Sequence, residues 1–289
     1  MGSSIHLDLK EMSIPSYAAR LSHNPDKGVV GLPEQSDSER VKKAKFKKLT
    51  RYFKEAKNVV CLTGAGISTK AGIADFRGPN GVWTKEESSK GRSKKVKLEE
   101  VMDSSFEQAK PTTTHEILAM LHSDKRLSAV ISQNVDGLHL RSGLARDALI
   151  ELHGNVFMEK CIKCTFEIFH DKDIGGIGCK PTGRKCTKCD GAMHDTVLDW
   201  DTPIEDELIE RAEGLVANAD LIICLGTSLR IVPAAELPLL VGTRRVDDIE
   251  PRICIVNLQA TPLDSRADLV IRRDVDEVMQ FLYDSLKDD

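Results

Sequence analysis

At 289 residues the chain is long enough for two domains, or for one large α/β domain carrying an insertion. Apolar residues at 40% and charged residues at 30% exclude bulk disorder and a collagen-like chain, and 4% aromatic residues argue against a membrane barrel with aromatic girdles. A net charge of −4, from 41 basic and 45 acidic residues, demands no nucleic-acid partner.

The longest clean apolar run, Leu221–Leu225, is far short of the ~20 residues of a spanning helix. The opening MGSSIHLDLKEM holds no apolar core of signal-peptide length, so a soluble intracellular protein is expected. Residues 1–38, with Pro15, Pro25, Pro33, Gly28 and Gly31, read as irregular. A helix is expected from Ser38, as N-cap, to Lys57, with Val41, Leu49, Tyr52, Phe53 and Ala56 on its apolar stripe. Lys42, Lys43, Lys45, Lys47 and Lys48 lie on its other face. They and a second cluster, Lys90, Arg92, Lys94, Lys95 and Lys97, read either as solvated surface or as nuclear-targeting or chromatin-touching elements.

Asn58–Thr63 reads as a buried strand entering Thr63-Gly-Ala-Gly-Ile-Ser-Thr69, a loop whose backbone N–H groups can approach a pyrophosphate. Thr69 stands where the dehydrogenase fingerprint wants its third glycine, so the loop fits a dinucleotide but not an ordinary hydride-transfer enzyme. In Asp75-Phe-Arg-Gly-Pro-Asn-Gly-Val-Trp83, Phe76 could cover a planar ring and Arg77 could hold phosphate or ribose; Trp83 reads by default as core. Residues 79–110 read mostly as loop. Thr112–His122 reads as a helix and Ser128–Ser132 as a strand, followed by Gln133, Asn134 and Asp136, which suit ribose hydroxyls or a carboxamide as well as plain turn chemistry. Leu149–His153 ends in Glu151-Leu-His-Gly-Asn155, where His153 is the general-base candidate. His115, His122 and His139 lack a comparable setting.

Residues 157–195 change character. Cys161-Ile-Lys-Cys164 and Cys186-Thr-Lys-Cys189 form two C-x2-C knuckles 21 residues apart, just beyond the usual spacer of about 15–20. Four thiolates fit tetrahedral Zn2+ and leave no open position, so the zinc should be structural. Cys179 is a spare thiol and a competing ligand candidate, while Cys61, Cys224 and Cys254 read as small core residues. The α/β pattern then returns: helix Ile204–Ala217, strand Asp220–Leu225 closed by Gly226, strand Arg252–Val256 closed by Asn257, short strand Leu269–Ile271 and helix Val275–Leu286. Alternating strands and helices imply a mostly parallel sheet, with ligands beyond the strand C-terminal ends at Gly64, Gly226-Thr-Ser228 and Asn257-Leu-Gln259.

The motifs GAGIST, DFRGPNGVW, SQNVDGLH, ELHGN, the paired C-x2-C, LGTSL and IVNLQ, in this order, resemble the sirtuins, NAD-dependent protein deacylases, from about Ser38 onward. SYAARLS, DKGVVGLPE and DTVLDW resemble the nuclear branch of that family. The resemblance implies a Rossmann-like α/β domain (38–156 and 196–289) with an inserted zinc module (157–195) behind an N-terminal arm (1–37). It implies that Ala65, Thr69, Phe76, Arg77, Trp83 and Gln133 bind NAD. Asn134 and Asp136 would form the nicotinamide pocket, and Gly226, Ser228, Asn257, Gln259 and Val275 the adenosine side. His153 would be the base, taking a proton from a ribose hydroxyl after the acyl-lysine oxygen has displaced nicotinamide. Acylated lysine proteins, histones above all, would be the partners and the nucleus the location, with the cytoplasm as alternative.

Three departures from the family matter. Ala74 replaces a proline, loosening the loop. Asp199-Trp-Asp201 replaces the usual Phe-Gly-Glu, which brings long-chain deacylation or protein mono-ADP-ribosylation forward against deacetylation. The chain also stops at Asp289 without a basic tail, so nuclear import would rest on the lysine clusters. An ordinary dehydrogenase and a non-catalytic zinc-ribbon protein are the rival readings.

Overall fold

The computed structural model describes residues 17–24, 27–89, 106–245 and 249–287. A one-turn helix, α1 (Tyr17–Arg20), precedes α2 (Glu39–Glu55), β1 (Val59–Thr63) and α3 (Val82–Ser89). Then come α4 (Thr113–Ser123), β2 (Ala129–Ser132), α5 (Leu138–Arg141) and β3 (Leu149–Glu151). Four short strands follow: β4 (Met158–Cys161), β5 (Glu167–Phe169), β6 (Pro181–Lys185) and β7 (Ala192–Asp195). The chain continues with α6 (Asp206–Asn218), β8 (Leu221–Leu225), β9 (Arg252–Val256), β10 (Leu269–Ile271) and α7 (Val275–Lys287).

The main sheet runs β10-β9-β8-β1-β2-β3 with every pair parallel. Taken in chain order its strands stand 3-2-1-4-5-6, the doubly wound dinucleotide-binding arrangement. Alternate residues feed opposite faces. Val59, Cys61, Val130 and Ile223 meet α2, α4 and α7, while Val60, Leu62, Ile131 and Ile222 meet α6. Each buried Leu or Ile is worth roughly 1.5–3 kcal/mol, so the sheet is held by burial on both faces. The register sets Thr63 beside Ser132 and Leu225, Ser132 beside Glu151, and Leu225 beside Val256. All the loops that follow therefore leave from one edge.

The second sheet, β5-β4-β7-β6, is antiparallel and lies in sequence between β3 and α6. It carries both cysteine knuckles.

Several expectations change. Residues 82–89 are helical rather than loop: Val82 and Trp83 anchor α3, and one buried pair leaves no periodicity to read. In α2 the stripe is Phe46, Leu49, Tyr52 and Phe53, whereas Val41 lies off its edge and is 41% exposed. Ser38 occupies the N-cap position without a side-chain cap bond. Most of the cluster on α2 has partners within the fold: Lys42 pairs with Glu39 and Glu277, Lys45 with Asp37, and Lys48 donates to the Asp268 carbonyl. The cluster Lys90–Lys97 lies outside the described residues. No helix among the described residues is long and apolar enough to cross a membrane.

Candidate functional site

The strand order reverses between β1 and β8, and the loops from these two strands touch. Gly64 N donates to the Leu225 carbonyl at 3.0 Å and Gly66 N to the Gly226 carbonyl at 2.9 Å. A Cβ on Gly64 or Gly66 would lie 2.8 Å from Gly226 atoms, so this contact requires glycine. The first loop continues as two 3₁₀ turns, Ala65–Ile67 and Thr69–Ala71, rather than a long helix.

A cavity of about 360 Å³ opens over this junction. Its wall includes Ala65, Phe76, Arg77, Trp83, Gln133, Asn134, Asp136, His153, Gly226, Ser228, Asn257 and Gln259, which gathers most of the expected cofactor residues at one place. Thr69 and Val275 are not on that wall. Thr69 points to solvent and caps the Gly66 carbonyl, and Val275 begins α7 inside the hydrophobic core.

One end of the cavity is a buried polar network. Asn134 Nδ2 donates to the Gly64 carbonyl at 3.1 Å, and Ser68 Oγ donates to Asp136 Oδ2 at 2.7 Å. The other carboxylate oxygen of Asp136 accepts from Leu138 N at 3.0 Å. Gln133 Nε2 donates to Thr227 Oγ1 at 2.9 Å, tying the β2 loop to the β8 loop. These hydrogen bonds fix the orientation of the side chains at this end of the cavity.

His153 sits beside this network. Its Nδ1 lies 2.9 Å from the Gln133 carbonyl, which can only accept, so Nδ1 carries the proton and the neutral ring keeps Nε2 as a base. Burial holds the imidazole below its ordinary pKa, opposed by that bond. Backbone contacts fix the turn. Leu198 N donates to the His153 carbonyl at 3.1 Å, and Gly154, at φ +83°, has no room for a Cβ against the Thr196 carbonyl. Both Leu198 and Thr196 follow β7, so the second sheet holds the base in place. Next door, burial raises the Glu151 carboxyl to about 7, although Arg146 and a 2.7 Å bond from Asn155 Nδ2 work against it.

The opposite wall is aromatic. Phe76 and Trp83 lie 4.6 Å apart, Trp83 and Trp200 5.2 Å, and Tyr17 meets Phe76 edge-on at 6.3 Å. The Arg77 guanidinium covers Trp83 at 4.3 Å. Burial, helped by the like charge of Arg230, lowers Arg77 to about 10; its Nη2 donates to the Lys27 carbonyl at 3.2 Å, and its buried Nε has no partner among the described residues, which leaves a donor for an anion. Asp75 instead props its own loop, accepting from Gly78 N at 3.0 Å.

The reading of residues 1–38 as irregular hid a contribution to the site. Tyr17, Ala18 and Leu21 line the cavity. The segment is tied down by Arg20 on Asp173 at 2.6 Å and Ser22 N on Asp199 at 3.0 Å. Partners more than 150 residues away leave no local periodicity to detect. Ser68 and Thr227 were also missed as site residues, though each stands inside a motif already singled out.

In the second sheet the sulfurs of Cys161, Cys164, Cys186 and Cys189 lie within 4.8 Å of one another, with Cys161–Cys189 at 3.5 Å and Cys164–Cys186 at 3.6 Å. Tetrahedral zinc with Zn–S of about 2.3 Å needs sulfurs about 3.8 Å apart, so the four fit the ion. Lys163 N donates to Cys161 Sγ and Lys188 N to Cys186 Sγ, each at 3.4 Å. Cys179 is not in the cluster; its thiol faces the Val197 carbonyl and its carbonyl accepts from His194, which removes it as a competing ligand. Cys61, Cys224 and Cys254 are buried in strands of the main sheet.

Comparison with known proteins places these features together. The model of the Sir2 family matches residues 64–233. The NAD-dependent protein deacetylase SRT1 of Oryza sativa subsp. indica is 47% identical over 267 residues, 91% of this chain and 52% of that protein. The NAD-dependent protein deacetylase Sirt6 of Drosophila melanogaster is 40% identical over 273 residues, 91% of this chain and 82% of that protein. A solved complex of Sir2 with a p53 peptide and NAD+ superposes with a TM-score of 0.62 at 30% identity, covering 85% of this chain and all of that one. The chain spans about half the length of the plant relative.

Proposed function

The chain belongs to the Sir2 family, and from that premise we propose that it is an NAD-dependent protein-lysine deacylase that moves an acyl group from lysine to ADP-ribose and releases nicotinamide. One observation carries the reading: the free Nε2 of His153 shares a single cavity with the glycine junction of β1 and β8 and with the Asn134–Asp136–Ser68 network. A base, a phosphate-approach loop and a carboxamide-recognising pocket are the parts that this reaction needs.

In this reading Asn134 and Asp136 orient the nicotinamide amide, while Ala65, Gly226 and Ser228 present the loops to the diphosphate. Phe76, Trp83 and Trp200 keep water from the reacting ribose carbon, whose transition state is cation-like. His153 Nε2 takes the ribose hydroxyl proton. Asn257 and Gln259 hold the adenosine end, and Thr69 and Val275 are given no role. The zinc, closed by four thiolates, is structural. Its sheet supports the reaction through the Thr196 and Leu198 contacts to the His153 turn.

We assign residues 1–37 to an arm and 38–289 to the catalytic domain, interrupted by the zinc module at 157–195. Histone tails as substrates and the nucleus as the location belong to this reading through the resemblance of SYAARLS, DKGVVGLPE and DTVLDW to the nuclear branch of the family. The α2 lysines give DNA contact little support, since Lys42, Lys45 and Lys48 are engaged within the fold.

The test incubates the protein with NAD and paired acetyl- and myristoyl-lysine histone peptides beside a His153→Tyr variant, followed by mass spectrometry. NAD-dependent loss of the acyl group that disappears in the variant is expected, with the faster peptide naming the acyl class. Nicotinamide release with both peptides unchanged would replace this reading by ADP-ribosyl transfer. No NAD consumption by folded, zinc-loaded protein would leave a binding role.

A further inference from the structure

The loop after β9, the end of β10 and the N-terminal arm converge on one buried cation, Arg272, which is 6% exposed. Its Nη1 donates to the Asn257 carbonyl at 2.9 Å, its Nε to Gln35 Oε1 at 3.3 Å, and its Nη2 pairs with Asp264. Its backbone joins the same seam: Arg272 N donates to Asp37 Oδ2 at 2.8 Å, and its carbonyl accepts from Asp37 N at 3.0 Å. Around it, Gln35 N donates to the Leu258 carbonyl at 2.8 Å, and Gln259 Nε2 donates to the carbonyls of Leu32 and Arg77. Asn257 Nδ2 closes on the Gln259 carbonyl at 2.9 Å.

Asn257 and Gln259 line the cavity, whereas Arg272 does not. The guanidinium fork serves three acceptors in three directions, which a lysine ammonium on a flexible stem cannot reproduce. Buried ion pairs add little net stability compared with apolar packing but penalise every arrangement that separates them. A cation used in this way specifies where the Asn257–Gln259 segment lies rather than how strongly the domain is folded.

We infer that Arg272 is a positioning residue that clamps the Asn257–Gln259 segment against the arm and thereby sets the affinity of the adenosine end of the cavity for the dinucleotide. This rests on the NAD-dependent reading above. Arg272 touches neither substrate nor reacting atoms and acts through Asn257.

The experiment uses the full zinc-loaded chain as wild type, Arg272→Gln and the milder Arg272→Lys. Calorimetry gives the Kd of ADP-ribose, and steady-state kinetics give KM for NAD and for the acyl-peptide separately. Amide exchange is followed at Gln35, Asp37 and Asn257. In both variants the ADP-ribose Kd and the KM for NAD should rise about tenfold or more, while the KM for peptide stays within about twofold. Exchange at the three amides should quicken with or without nucleotide. An unchanged Kd and KM in folded Arg272→Lys would overturn the inference. So would a fall of the apparent kcat alone, in proportion to the folded fraction and with both KM values unchanged, the mark of a merely structural residue. Wild type that fails to bind ADP-ribose would sink the NAD reading and this inference with it, an outcome recognisable because it needs no substitution.

Discussion

In the main sheet every residue of β1 and β8 is buried, whereas in the second sheet β6 has four of five residues exposed and β5 has none buried. The first sheet is covered on both faces by helices and gains its stability from apolar area. The second buries Met158, Cys161, Cys186 and Met193 and leaves Ile162 68% exposed, a small apolar core for four strands. What it has instead is a four-sulfur site whose geometry fits zinc, and a zinc bound there would supply folding energy. The difference teaches that one chain can be tight in two unrelated ways, and that His153 is placed by both: its strand by the first sheet, its turn by the second.

Removing zinc should break the comparison most severely. Structural zinc is worth on the order of 10 kcal/mol in small modules. Chelation, or Cys161→Ser, should disorder residues 157–195, remove one zinc per chain and abolish deacylation, because Thr196 and Leu198 no longer hold the His153 turn. Helical circular dichroism from the main domain should persist. Zinc-free protein that keeps full activity would show that the second sheet does not support the site.

Matched truncations sharpen the contrast. Leu62→Ala, in the fully buried β1, should lower global stability by about 2–5 kcal/mol, seen as a lower denaturant midpoint with unchanged slope. Ile168→Ala, in the half-buried β5, should cost under about 1 kcal/mol with zinc bound. Equal costs would mean that the second sheet has a hydrophobic core after all.

The smallest effect is a pH signature of the main domain. Burial lowers His115 to about 4 and His139 to about 3, the latter helped by the adjacent His115 charge. Both bind protons more readily when unfolded, so their contribution is complete above about pH 6.5 and is lost as pH falls toward those values, by about 1.4 kcal/mol per pH unit for each. Glu151 acts oppositely. Its raised value near 7 stabilises below about 4.5 and fades as pH climbs through 7. Chemical denaturation between pH 4 and 8 should show stability rising with pH to about 6.5, held back above about pH 4.5 by the loss of the Glu151 contribution, and Glu151→Gln should steepen that rise. Stability that falls from pH 4 to 6 would contradict the buried neutral histidines.

Much of this could be read from residue order alone, in places with a local cause. β1, β8 and β9 were legible because strands buried on both faces are unbroken apolar runs. The zinc ligands were legible because two residues between cysteines suffice to turn a chain back onto one ion. α3 was not, since its two buried residues make no pattern, and neither was Val41, whose exposure depends on where the stripe of α2 settles against the sheet. Thr69 and Val275 matched a motif position yet stand off the cavity wall, because a motif fixes order along the chain and not the direction of a side chain.

The sequence by itself therefore determined the sheet-forming segments, the glycine junction and the four thiolates, each through interactions among residues a few positions apart. Only the tertiary structure decided that Tyr17 and Leu21 join the cavity, that Arg272 ties the arm to Asn257, and that His153 is neutral with Nε2 free. Those outcomes depend on burial and on partners on other elements of the fold, from 20 residues away for His153 and Gln133 to 237 for Arg272 and Gln35, and desolvation is a sum over neighbours that chain order does not list.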